Sequence, residues 1–158
     1  MNDVARRTTP IGMIRYAKDF RDASLAADDQ LGKKEGFEII APIPVMYLIA
    51  HSMELSIKAF LLFKGVEMKD LKKYKKYGHD IMKCLKKAKE LGIENIVEIT
   101  DLEEGSLEVL NNLYHAKELN YIVSGYKQFP MFGPLQTLSS KLILEVGREV
   151  GYPVNRLV

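Results

Sequence analysis

From Ile43 to Phe63 apolar residues run around nearly the whole circumference of a helical wheel, interrupted by His51, Glu54 and Lys58. At about 100° per residue those three share one narrow arc, so the pattern predicts a helix with a single polar spine. A helix that is apolar on all sides is normally buried, and a buried Glu and Lys cost on the order of several kcal/mol each unless paired. The spine is therefore where chemistry or recognition would sit.

The flanking pattern predicts further helices. Thr9-Pro10 fits an N-cap followed by a proline at the first helical position. Behind it, Ile14, Ala17, Phe20, Ser24 and Ala27 keep helical spacing as far as Gly32. Residues 33–41 read as a loop, or as an extended stretch held by Phe37, Ile39 and Ile40. Pro42 and Pro44 suit the start of the apolar helix, and Gly65 its end. The lysine-rich stretch 66–78 reads as exposed, with room for one helical turn. After Gly78, Ile81, Leu85, Ala88 and Leu91 form one face of a third helix, ended by Gly92. Residues 93–105 read as a polar connection with room for a helical turn, and Leu107, Leu110, Tyr114 and Tyr121 mark a fourth helix reaching about Ser124. A long loop over 125–133 leads to Pro134, which opens a last helix, Leu135 to Val150, stopped by Gly151 and Pro153. No segment alternates as a hairpin or βαβ unit would. The expectation is a single all-α domain over 1–158, an antiparallel bundle of four to five helices.

Composition narrows the class. At 158 residues the chain can bury a core without metal or disulfide staples. Its one cysteine, Cys84, can form no internal disulfide, which favours a reducing, cytoplasmic setting. The two arginines near the start have no apolar stretch behind them, so no secretory signal is expected. The longest apolar run, Ile39 to Ala50, is broken by Pro42 and Pro44, is followed by His51, and is too short for a membrane span. Net charge is +2, yet ten lysines face four acidic residues between Lys64 and Glu90, a local excess of six positive charges. An anionic partner would be drawn there.

Several constellations could carry chemistry. Glu54 and Lys58 stand at i and i+4 in the favourable order, either as a flank salt bridge or as the charges of a pocket between helices. Lys117 falls on the stripe of the fourth helix, where it either snorkels to solvent or joins Asn120, Tyr121 and His115 in a polar patch. In Gly78-His79-Asp80, one of the latter two caps the third helix, and His79 could also project into the pocket of Glu54. The run Lys72, Lys73, Tyr74, Lys75, Lys76, Tyr77 has the composition of a stacking and phosphate-binding surface, or of a plain solvated loop. His51 and Glu54, and His115 and Glu118, have the reversed order of a di-iron motif and lack further inward carboxylates, so no metal and no cofactor are expected. Phosphate loops, nucleophile elbows and zinc-protease motifs are absent.

The ordered set 51–65 (HSMELSIKAFLLFKG), 78–92 (GHDIMKCLKKAKELG) and 110–121 (LNNLYHAKELNY) resembles the HEPN superfamily of nucleotide-binding helical domains. The likeness spans roughly residues 43–122. It implies a bundle of four or five helices, frequent homodimerisation and a role around nucleotides or RNA, with many members acting as ribonuclease toxins or in antiphage defence. Nuclease members carry an arginine followed after four to six residues by a histidine. No arginine stands at that offset before His51, His79 or His115. Lys72 occupies it relative to His79 but lacks arginine's bidentate fork. Asn120-Tyr121 stands where an Arg-Tyr pair is expected.

Three functions follow as expectations. The first is a non-catalytic or degenerate HEPN-like homodimer binding a nucleotide or RNA phosphate through His79, Lys58, Lys117 and the lysines of 72–76, with Glu54 holding Lys58 or orienting His79. The second is a metal-independent ribonuclease with His79 or His115 as catalytic base and a lysine neutralising the developing charge. The third is a protein-interaction partner, such as one half of a toxin–antitoxin pair with a cognate neighbouring-gene product, in which the polar pocket is structural.

Overall fold

The Thr9 hydroxyl accepts a hydrogen bond from the Gly12 amide at 3.0 Å, and Pro10 follows it in the first helical turn. This start signal is one of several that the computed structural model realises; it describes residues 3–152 and 154, without the side chains of Val4 and Ala5. In chain order the helices are α1 (Asp3–Arg7), α2 (Pro10–Leu31), α3 (Ile43–Phe63), α4 (Met68–Lys72), α5 (Ile81–Glu90), α6 (Asp101–His115) and α7 (Phe132–Val150). A 3₁₀ turn, Ile93–Asn95, links α5 to α6. Among the described residues there is no strand, and the fold is all-α. Pro153, expected to help stop the last helix, lies outside the described residues.

Helix α3 is the centre. It packs most extensively on α2, then on α7, α5 and α6. Small residues let α2 and α3 approach closely, and their hydroxyls satisfy backbone carbonyls in the seam: Ser52 donates to Ala17 at 2.6 Å and Ser24 to Val45 at 2.8 Å. Around them Ile14, Met46, Ile49, Met53, Ile57, Phe60 and Leu61 are almost wholly buried. Removing one such Leu or Ile side chain typically costs about 2–5 kcal/mol. By length and composition α3 could cross a membrane, but 72% of its most apolar stretch is buried against the rest of the protein.

Three expected boundaries are corrected. The fourth helix, α6, starts at Asp101 rather than near Leu107, because Thr100 and Glu103 form a reciprocal capping box and three acidic residues sit in its first turn. It ends at His115, not near Ser124. There the Glu118 amide donates to the Leu113 carbonyl at 2.9 Å and the Lys117 amide to Tyr114 at 3.2 Å, the paired bonds of a Schellman stop. Lys117 therefore does not lie on a helical stripe. It takes the left-handed turn position, φ 63°, the one non-glycine residue to do so among those described. The last helix begins at Phe132, before Pro134, since a proline in a first turn removes no intrahelical bond.

Candidate functional site

Glu54 sits in the middle of α3, 2% exposed, with no helix end to cap. Four side chains from two helices and a loop converge on its carboxylate. The Lys58 ammonium donates to Oε1 at 2.6 Å, and His79 Nδ1 lies 3.0 Å from Oε1 and 3.2 Å from Oε2. The Tyr114 hydroxyl donates to Oε2, and His51 Nδ1 stands 3.5 Å from Oε2 and 3.1 Å from the Tyr114 oxygen. Burial alone would raise the carboxyl's pKa. The hydrogen bonds from His51 and His79, joined by the charge of Lys58, outweigh it and hold Glu54 well below the usual carboxylate range. Tyr114 is driven the other way, upwards, by burial and by the adjacent Glu54 charge, so its hydroxyl stays protonated and donates.

This protonation pattern fixes the His79 ring. An ionised carboxylate has no proton to give, so Nδ1 is the donor and Nε2 is left for whatever lies beyond. The backbone beneath His79 is pinned as well. Lys58 donates to the Gly78 carbonyl, and Gly78 adopts φ 47°, where a Cβ would lie 3.1 Å from the Tyr74 Cα. Next in the chain, Asp80 accepts from the Lys83 amide at 3.1 Å and caps α5. Asn111 ties this start to α6, accepting from the Ile81 amide at 2.8 Å and donating to Asp80 at 3.1 Å.

His79, Lys117 and Asn120 line one small open hollow of about 20 Å³ together with Tyr47 and Tyr114. The rings of Tyr47 and His79 stand edge-on to Tyr114, at 5.8 and 6.1 Å. None of the five lining residues is acidic. Lys117 is exposed and has no carboxylate within 4.0 Å among the described residues.

Glu54, Lys58, His79, Lys117 and Asn120 are thus brought together, with Glu54 and Lys58 behind the wall and the other three in it. Asp80 stands beside the hollow as a helix cap, while Tyr121 is exposed and does not line it. His115 does not line it either. Its Nε2 is 4.0 Å from Asp80, and its ring stacks beneath Tyr74 at 6.0 Å and 18°. The lysine–tyrosine run divides. Lys76 pairs with Asp70 at 2.8 Å and Tyr77 packs against the core, leaving Lys72, Lys73 and Lys75 exposed without a carboxylate within 4.0 Å among the described residues. No three His, Cys, Asp or Glu side chains among the described residues cluster as a metal would require. Cys84 is buried and its thiol pushed up to about 12 by that burial, so it is no nucleophile.

Tyr114 and Asn111 are site residues that the sequence pattern assigned no role in the site. The signal was present: both place a polar group on the inward face of a helix, where a buried hydroxyl or amide needs a partner. Compared with protein-family models, curated proteins and solved structures, the chain matches none.

Proposed function

We propose that the chain is a HEPN-like antiparallel bundle, acting as a homodimer, that binds the phosphate of a nucleotide or of RNA in the hollow of His79, Lys117 and Asn120. The observation that carries this reading is the lining itself: an imidazole, an ammonium and an amide share one concavity without a carboxylate. The buried Glu54 acts from behind, holding the ring of His79 by Nδ1 so that Nε2 serves the ligand. At about 20 Å³ the hollow is far smaller than the roughly 300–1,000 Å³ of a pocket enclosing a drug-sized molecule. A phosphate group would rest at its open mouth against the three polar side chains, with the rest of the ligand outside. Exposed apolar side chains at Tyr121, Ile122, Val123 and Tyr126 support pairing with a second copy.

Thermal melts with inorganic phosphate and nucleoside monophosphates test the reading. The melting point is expected to rise with at least one of them, and Lys117→Ala to remove most of that rise. No rise with any anion overturns it.

A second reading rests on the same histidine. With Nδ1 committed to Glu54, a neutral His79 offers an Nε2 lone pair, the arrangement of a base oriented by a third group. In metal-independent RNA cleavage it would take the 2′-hydroxyl proton while Lys117 neutralised charge on the phosphate. RNA incubated with protein in EDTA decides this, since absence of cleavage that depends on His79 removes it.

A further inference from the structure

Beside the hollow lies a second feature that phosphate binding leaves unused. Tyr74 is 70% exposed, yet its ring is not adrift: it stacks nearly parallel on His115, with centroids 6.0 Å apart and planes 18° apart. Its backbone is equally fixed. The amides of Lys76, Tyr77 and Gly78 all donate to the Lys73 carbonyl, at 2.9, 3.0 and 3.1 Å, closing a tight turn around Tyr74. That turn ends on Gly78, whose carbonyl is held by the buried Lys58 ammonium. The ion pair that orients His79 thus also anchors the turn that carries Tyr74.

The two features are neighbours. His115 follows Tyr114, a wall of the hollow, and stands 4.0 Å from Asp80, which follows His79, another wall. An exposed aromatic face backed by a second ring is a stacking surface for a base, and every unpaired base offers a π-face to it. Bases inside a duplex are already stacked on one another and cannot use it. Lys72, Lys73 and Lys75 border the tyrosine without carboxylate partners within 4.0 Å among the described residues, where a phosphodiester backbone would need them.

We infer that Tyr74, stacked on His115, is the base platform of this site, and that the ligand is a single-stranded oligonucleotide whose phosphate enters the hollow while an unpaired base lies on the tyrosine. The inference rests on the reading of the hollow given above and adds the ligand class to it. It also accounts for the small volume of the hollow, since the base is bound elsewhere. Tyr74 acts as a recognition residue and touches no reacting atom.

The test is fluorescence anisotropy with a labelled single-stranded RNA decamer, the same decamer as DNA, a duplex and a single-stranded decamer with abasic positions. Wild-type protein is expected to prefer a single strand of either sugar over the duplex. Tyr74→Ala should weaken binding about 10-fold or more, while Tyr74→Phe keeps it, as stacking without hydrogen bonding requires. The abasic strand should lose a similar factor on the wild type and lose little more on Tyr74→Ala. Each exposed lysine removed should lower the steepness of the log–log salt dependence by about 0.7. If Tyr74→Ala binds as the wild type does while Lys117→Ala does not, the platform is wrong and the hollow stands. If the wild type binds none of the strands but phosphate still raises its melting point, the platform is wrong again. If neither strands nor phosphate bind, both fail.

Discussion

Two side-chain carboxylates are buried among the described residues, Glu54 at 2% exposure and Glu103 at 5%, and they are buried for different reasons. Glu103 serves the chain next to it. It accepts from the Thr100 amide at 3.0 Å, its own amide donates to the Thr100 hydroxyl at 3.2 Å, and Lys141 covers it at 2.8 Å. That is a helix start satisfying its own orphan donors. Glu54 has no such duty. It lies mid-helix, where every backbone group is already paired, and its partners are side chains: His51 and Lys58 one turn away on α3, Tyr114 from α6 and His79 from the loop before α5. A buried charge that helps no helix end and orients a histidine at the surface is what the proposed phosphate site is built on. What the two burials secure differs.

The sharpest way to break this comparison is to neutralise each carboxylate. Glu54→Gln leaves the Lys58 ammonium buried beside a neutral amide, and urea denaturation is expected to show a loss of about 3–5 kcal/mol. Glu103→Gln, with a partly exposed lysine partner, should cost about 1 kcal/mol. Equal losses would erase the distinction. The pH profile should separate Glu54 further. Its folded pKa lies below the ordinary value, so the unfolded chain takes up the proton first. The stability it contributes is present above the ordinary carboxylate pKa, about 4.3, and is lost as pH falls towards its folded value. Glu54→Gln should flatten that acid limb in thermal melts.

A smaller effect is expected from removing the pair whole. Glu54→Gln combined with Lys58→Met leaves no buried charge uncompensated and should recover at least about 1 kcal/mol relative to Glu54→Gln alone. Phosphate binding, read by thermal shift, should not recover with it. A double variant that regains both would make the spine merely structural.

The smallest predicted change concerns Lys117, and it bears on what could be read from sequence. Helices α3 and α6 end with the same pair of hydrogen bonds. At the end of α3 the left-handed position is Gly65, φ 98°, and the Val66 amide donates to Leu61 at 3.0 Å. A glycine there is a legible stop, and that boundary was predicted. At the end of α6 the same position holds Lys117, which as a residue type gives no such signal, while Tyr121 keeps the apolar period going. The helix therefore read as continuing, and Lys117 read as part of its stripe. A left-handed lysine costs roughly 1 kcal/mol or more. Lys117→Gly should thus be neutral to about 1 kcal/mol stabilising in urea denaturation, while weakening phosphate binding. A strained residue that is better replaced for stability and worse for binding is the expected signature of a site.

Elsewhere the legible parts are those where one residue decides. Thr9-Pro10, Pro44 and Gly92 each fix a helix end through a local bond or dihedral. The polar spine was legible because Glu54 and Lys58 have no ordinary place in an apolar helix. Tyr114 gave a weaker signal, since a tyrosine fits a core stripe whether or not its inward hydroxyl is used. The stacking of Tyr74 on His115 was not legible, since it depends on where two helix ends come to lie.

The central claim is that the buried Glu54 network presents His79, Lys117 and Asn120 to a phosphate. Backbone and imidazole NMR shifts recorded during titration with a nucleoside monophosphate test it most directly. The account predicts saturable changes concentrated at His79, Lys117 and Asn120, including the His79 ring, and their loss in Glu54→Gln at a temperature where that variant is folded. Saturable changes confined to other surfaces, with His79 and Lys117 unmoved, would contradict it.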